Sequence, residues 1–159
     1  MRSVGTGVGY IAVILLVLSC GVMLTGAVIL VPFWRSLPAG EFLAWFAANA
    51  QRLQWLAGSL QVGAMLFSIL SAVLFAMAHR SGTLLVGVAA LLAIAVLATV
   101  PFYFHAVNAS FVDGTIPLDR VPAELVRWAS WQWARTAAGL AAFCLAMIAM
   151  GGGGSAVAA

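Results

Sequence analysis

Long apolar runs separated by short polar breaks dominate this chain. Residues 8–33, 53–78, 83–107 and 128–150 each match or exceed the roughly 20 apolar residues that a helix needs to cross a bilayer. Four such runs predict an all-α, four-helix transmembrane bundle with antiparallel neighbours, forming a single domain over residues 1–150. The glycine-rich stretch 151–159 reads as a flexible tail or linker. Leu18-Ser19-Cys20 in the first run has the look of a lipoprotein signal, but the run continues past Cys20 to Val31, about twice the length of a signal core. It is therefore expected to be the first span.

The polar positions inside and beside these runs carry the register. Span one ends at Pro32-Phe33-Trp34-Arg35, where Trp and Arg suit a membrane surface. Ser36-Leu37-Pro38 then forms a cap and first turn, so helix two starts near Ala39 and stands several turns above the bilayer. In span two, Gln54, Gly58, Gln61, Met65 and Ser68 share one face. A tight turn at His79-Arg80-Ser81-Gly82 leads into span three, which Pro101 kinks, freeing the carbonyl of Leu97. Beyond the kink Ala98, Pro101, His105 and Asn108 share a face and Tyr103 is directed away from it. Residues 110–120 form a second long connection, with turn signals at Asp113-Gly114 and Pro117. From about Pro122 the fourth helix places Glu124, Trp128, Trp131, Gln132, Arg135, Gly139 and Ala142 within about 60° of one line. Trp133 and Ala137 lie opposite, toward lipid.

Antiparallel order gathers Gln54, Gln61, His105, Asn108, Gln132 and Arg135 in the half of the bundle next to the two longer loops and helix extensions. The other half is almost purely apolar. Such a one-sided distribution suits a pocket better than a path through the membrane. Arg135, roughly 6 Å below the hydrocarbon edge, is the candidate anion-stabilising group, with Glu124 and the freed Leu97 carbonyl as partners. His105 is the histidine at that depth, and imidazole is the side chain best suited to accept a proton near neutral pH. Gln54, Gln61, Asn108, Trp128, Trp131 and Gln132 are the candidate substrate contacts. Each has a plainer alternative: tryptophans at this height mark the headgroup belt, glutamines join helices, and a lone histidine near a helix end is often structural.

Composition narrows the picture. With 65% hydrophobic and 7% charged residues the chain lies outside the soluble range, and its basic residues, all arginine, are scattered, so nucleic-acid binding is not expected. Arg35, Arg52, Arg120 and Arg127 on the long-loop side outnumber Arg2 and Arg80, which favours long loops in the cytoplasm of a bacterial inner or plasma membrane. Cys20 and Cys144 are isolated and suggest neither a disulfide nor a thiol relay. Glu41, Asp113 and Asp119 fall in expected solvated loops. No His/Cys/carboxylate cluster suggests a metal, and no cofactor is expected; a single-histidine haem at His105 is the one alternative.

Three stretches, 24–38 (LTGAVILVPFWRSLP), 107–111 (VNASF) and 127–142 (RWASWQWARTAAGLAA), resemble the anthrone oxygenase-like family of small four-span membrane proteins. In that family's W-x-x-W-N-H-x-R pattern, Trp128, Trp131 and Arg135 match. Gln132 and Trp133 stand where the pattern has Asn and His, and Ala106 replaces a usual proline, so the pattern's own proton acceptor is missing. The resemblance implies an oxygenase that converts an anthrone to an anthraquinone. The resulting expectation is an oxidoreductase acting on a flat, lipophilic, phenol-like molecule, with His105 as base and Arg135 stabilising the oxyanion. The main rival is a non-enzymatic membrane subunit or anchor packed against a partner protein; a homo-oligomer fits either. A proton-coupled exporter is disfavoured because no acidic residue lies within a span.

Overall fold

The structure, a computed structural model, describes residues 2–152; residues 153–159 of the expected tail lie outside the described residues. Four helices are long and apolar enough to cross a membrane, α1 (Ser3–Ser36), α2 (Ala39–Met77), α3 (Thr83–Val112) and α4 (Leu118–Gly151). The chain is an integral membrane protein with an all-α, four-helix fold. Leu37 is extended, and Pro38 caps α2 with its carbonyl accepting the Phe42 N–H at 3.0 Å. That two-residue link turns the chain back on itself, so α2 does begin at Ala39. At the other end of the bundle Gly82 adopts φ +88°, a left-handed conformation that closes the α2–α3 turn, and a Cβ there would meet that of Ala149 at 3.2 Å.

Each helix packs against its neighbour in sequence, and α4 returns to pack on α1, which makes a square antiparallel bundle. The two halves are filled differently. Away from the long loops, the core consists mainly of small and aliphatic side chains, Leu16, Ala64, Val86, Ala89, Ala142 and Ala146, with Phe75 fully enclosed. Small residues let these helices approach closely. Gly139 shows how closely, since a Cβ there would lie 2.6 Å from the Met23 methyl and 3.2 Å from Cys20 Sγ. This half is less purely apolar than expected, because Ser19, Ser68 and Ser71 are buried in it. On the long-loop side the core is aromatic, built from Trp34, Phe42, Phe46, Phe104, Phe111 and Trp128. Ile14, Leu18, Leu66, Leu70, Leu91 and Phe102 point outward and form the surface that lipid covers.

Two helices carry a wide π turn at the same general level, Gly26–Leu30 in α1 and Val100–Phe104 in α3. In α3 the turn contains Pro101, whose missing N–H was expected to leave the Leu97 carbonyl free. That expectation is corrected: the Val100 N–H donates to Leu97 O. Tyr103 points away from the His105 and Asn108 face, as expected, but toward α4 and not toward lipid. Tyr103 is buried and its hydroxyl donates to Glu124 Oε1 at 2.6 Å, while Pro101 and Phe102 face outward. The physical reason is continuity of the buried stripe Val86, Ala89, Ala93, Val96, which extends into Tyr103, Phe104 and Phe111 at helical spacing.

A short internal repeat accompanies this arrangement. Val31-Pro32-Phe33-Trp34 in α1 corresponds to Val100-Pro101-Phe102-Tyr103 in α3, and Pro38-Ala39 with Glu41 and Trp45 in α2 corresponds to Pro122-Ala123 with Glu124 and Trp128 in α4. Both copies bury the fourth aromatic, Trp34 or Tyr103, and expose the phenylalanine before it. Trp45 and Trp128 then pack on the same ring, Trp34, at centroid distances of 5.8 and 5.2 Å.

Candidate functional site

All four helices contribute to a cavity of about 570 Å³ in the long-loop half of the bundle. This volume lies within the usual range for small-molecule pockets, about 300–1,000 Å³. Its walls are aromatic and aliphatic, with Trp34, Phe46, Phe104 and Trp128 as rings and Val22, Leu30, Ala57 and Val100 between them. Polar groups enter from three helices: Gln54 and Gln61 from α2, His105 and Asn108 from α3 with Asp113 just after it, Gln132 and Arg135 from α4. Every sequence-derived site residue except Trp131 therefore reaches one cavity. Trp131 is 38% exposed and stacks on Tyr103, 5.2 Å between centroids and 18° between planes, with Arg127 5.5 Å from the same Tyr103 ring. Asp113, assigned from the sequence to a solvated loop, is exposed and also borders the cavity.

The wall between α1 and α4 is sealed. Gln132 is buried and its Nε2 donates to the carbonyl of Met23 at 2.7 Å. Gly26 makes this possible, because a Cβ there would stand 3.0 Å from that nitrogen. Trp128 is held from the other side by Asn108, whose Oδ1 accepts its indole N–H at 3.1 Å. Between α2 and α3 the wall is open: the exposed wall residues are Gln54 on α2, His105, Ala109 and Val112 on α3, and Asp113 just after α3. The cavity thus opens sideways between α2 and α3, under the aromatic cluster formed by Phe42, Phe46 and Phe111.

Arg135 is 7% exposed and its guanidinium carbon lies 4.6 Å from the centroid of the Phe104 ring. Its Nε has no hydrogen-bond partner, and no carboxylate pairs with it among the described residues. Glu124, the expected partner, is occupied by Tyr103. A cation over an aromatic face gains about 2 kcal/mol when desolvated, against a burial penalty of several kcal/mol per ion. The ring cannot offset the charge. Two more side chains of this lining bury a donor without a partner among the described residues, Gln61 at Nε2 and Trp34 at Nε1. Trp34 had been expected at the membrane surface, yet it is 2% exposed. No signal within the segment places it inside; the aromatic rings of Phe42, Phe46 and Trp128 around it do.

Among the described residues no three His, Cys, Asp or Glu side chains come together as a metal site. Cys20 is buried and Cys144 exposed, both as free thiols. No family model, curated protein or solved structure matches this chain.

Proposed function

We propose that this protein is a membrane-embedded oxygenase of a flat, lipophilic, phenol-like molecule such as an anthrone, bound in the intrabundle cavity. The observation that supports this reading is the union of His105 and Arg135 with aromatic walls around a volume that none of the described side chains fills. An anchor or accessory subunit would need that volume filled by protein. An opening between α2 and α3 suits a substrate that partitions into the bilayer, and the same bilayer dissolves dioxygen well.

The reaction has two requirements that these residues meet. His105, at the open edge, accepts the proton from the activated carbon. Arg135, at a depth where water is scarce, balances the oxyanion that forms when this carbon acid ionises. Dioxygen adds to the electron-rich carbon, and the hydroperoxide so formed loses water. The balance is a CH2 group and O2 giving a C=O group and H2O, with no further reductant. The long-loop side then faces the cytoplasm of a bacterial inner membrane, following the arginine distribution.

Oxygen uptake with anthrone, measured on the detergent-purified protein against protein-free micelles, tests this reading. Wild type is expected to exceed the autoxidation baseline, with a loss of roughly 100-fold or more in His105→Ala and in Arg135→Gln. Uptake equal to the baseline, or equal in all three proteins, contradicts it. An absorption spectrum of the same samples separates a haem mechanism, because a Soret band lost in His105→Ala would make His105 an axial ligand.

A further inference from the structure

The charge and hydrogen-bonding character of the cavity narrow its ligand beyond the reading above, on which this inference rests only in taking the cavity as the binding site. Arg135, Gln61 and Trp34 are all more than nine-tenths buried, come from three different helices, and each has one unpartnered nitrogen. Every one of these orphaned wall atoms is a donor. Of the wall's acceptors, Asn108 Oδ1 takes the Trp128 indole and Asp113 is at the exposed edge, while the amide oxygens of Gln61 and Gln132 are neutral and balance no charge. A buried cation with no counterion among the described residues, in a cavity whose lining carries two more unsatisfied donors, is costly alone and favourable once an anionic acceptor arrives.

We propose that the cavity holds its ligand as an organic monoanion, a carboxylate, phenolate or enolate on an apolar body, with the anionic oxygen at Arg135 and the body directed toward the α2–α3 opening. The ligand supplies the counterion that the fold leaves out. Neutral ethers, esters and hydrocarbons of the same shape are then poor ligands, because they leave the guanidinium uncompensated. The anionic group has two sources, a flat aromatic acid or phenol and a lipid-derived fatty acid, which share this chemistry and differ in the shape of the body.

The test uses full-length protein in nonionic micelles and equilibrium dialysis of 2-naphthoate, which offers the charge but no oxidisable carbon acid. Naphthoate is expected to bind saturably, one per chain, roughly 30-fold or more tighter than its methyl ester. Arg135→Gln is expected to remove that difference by weakening naphthoate and not the ester. Gln61→Glu, which puts an anion on the wall, is expected to abolish naphthoate binding and spare the ester, and it keeps the test decisive if Arg135→Gln does not fold. Dodecanoate separates the sources: affinity equal to that of naphthoate supports the anion site with a fatty acid as ligand, and weaker affinity supports it with a flat one. Equal affinity for naphthoate and its ester, or naphthoate binding unchanged in either variant, overturns the proposal. Anthrone oxidation that persists with such a result leaves the oxygenase reading standing without the anion site. Naphthoate binding without anthrone oxidation does the reverse.

Discussion

Arg135→Met is expected to make the bundle more stable and to abolish the proposed oxygenase activity. Arg135 is buried, its Nε has no partner, and a phenylalanine face is its only charge-compensating contact among the described residues. Replacing an uncompensated buried ion by an apolar side chain of similar length removes the desolvation penalty while keeping most of the packing. By analogy with buried ion pairs replaced in the same way, the gain is about 1–4 kcal/mol. Under the proposed function, oxygen uptake is lost because methionine offers no donor to an oxyanion. A thermal melt of the two proteins in the same detergent, beside oxygen uptake with anthrone, reads both effects. A lower midpoint in the variant would mean that the guanidinium holds the helices together and is not kept for a ligand. A gain in stability coupled to a loss of function is the usual mark of a residue retained for its chemistry.

The second large effect is at Trp34. Trp34→Ala is expected to cost about 3–5 kcal/mol, because the ring is 2% exposed and packs against Phe42, Trp45, Phe46 and Trp128 at centroid distances of 5.2–5.8 Å. Trp34→Phe separates packing from hydrogen bonding. It keeps a ring in the cluster and removes an N–H that has no partner in the free protein, so most of the stability should return. If Nε1 donates to the ligand, Trp34→Phe should still bind naphthoate more weakly despite its recovered melting point. A melting midpoint unchanged in Trp34→Ala would contradict the aromatic cluster as the support of this half of the bundle.

Much of this arrangement was readable from spacing alone. The four spans and the inward face of α4 through Trp128, Gln132, Arg135 and Gly139 follow from apolar run length and a 100° period, and the start of α2 at Ala39 from the proline before it. So does the convergence of Gln54, Gln61, His105 and Asn108, since antiparallel order puts them in the long-loop half of the bundle. What escaped was decided by neighbours. Tyr103 was assigned only a direction away from the face of Ala98, Pro101, His105 and Asn108; the structure buries it against α4, turns Pro101 outward and leaves His105 at the opening. Trp34 beside an arginine fits a headgroup-belt pattern, and only the clustering of Phe42, Phe46 and Trp128 around it makes it a core residue. The π turn at Gly26–Leu30 has no proline of its own, so no local signal announces it. The hydrogen bond from Gln132 to Met23 O, just before that turn, shows how a contact from another helix accompanies it.

The most direct test of the account is an anomalous difference map of crystals grown with a brominated lipophilic phenol, 6-bromo-2-naphthol. The account predicts one bromine peak per chain at the α2–α3 opening, near His105 and Gln54, with the phenolic oxygen within hydrogen-bond reach of Arg135. Bromine found only on the lipid-facing surface, with the cavity closed by side chains, would contradict it and return the protein to the class of membrane anchors.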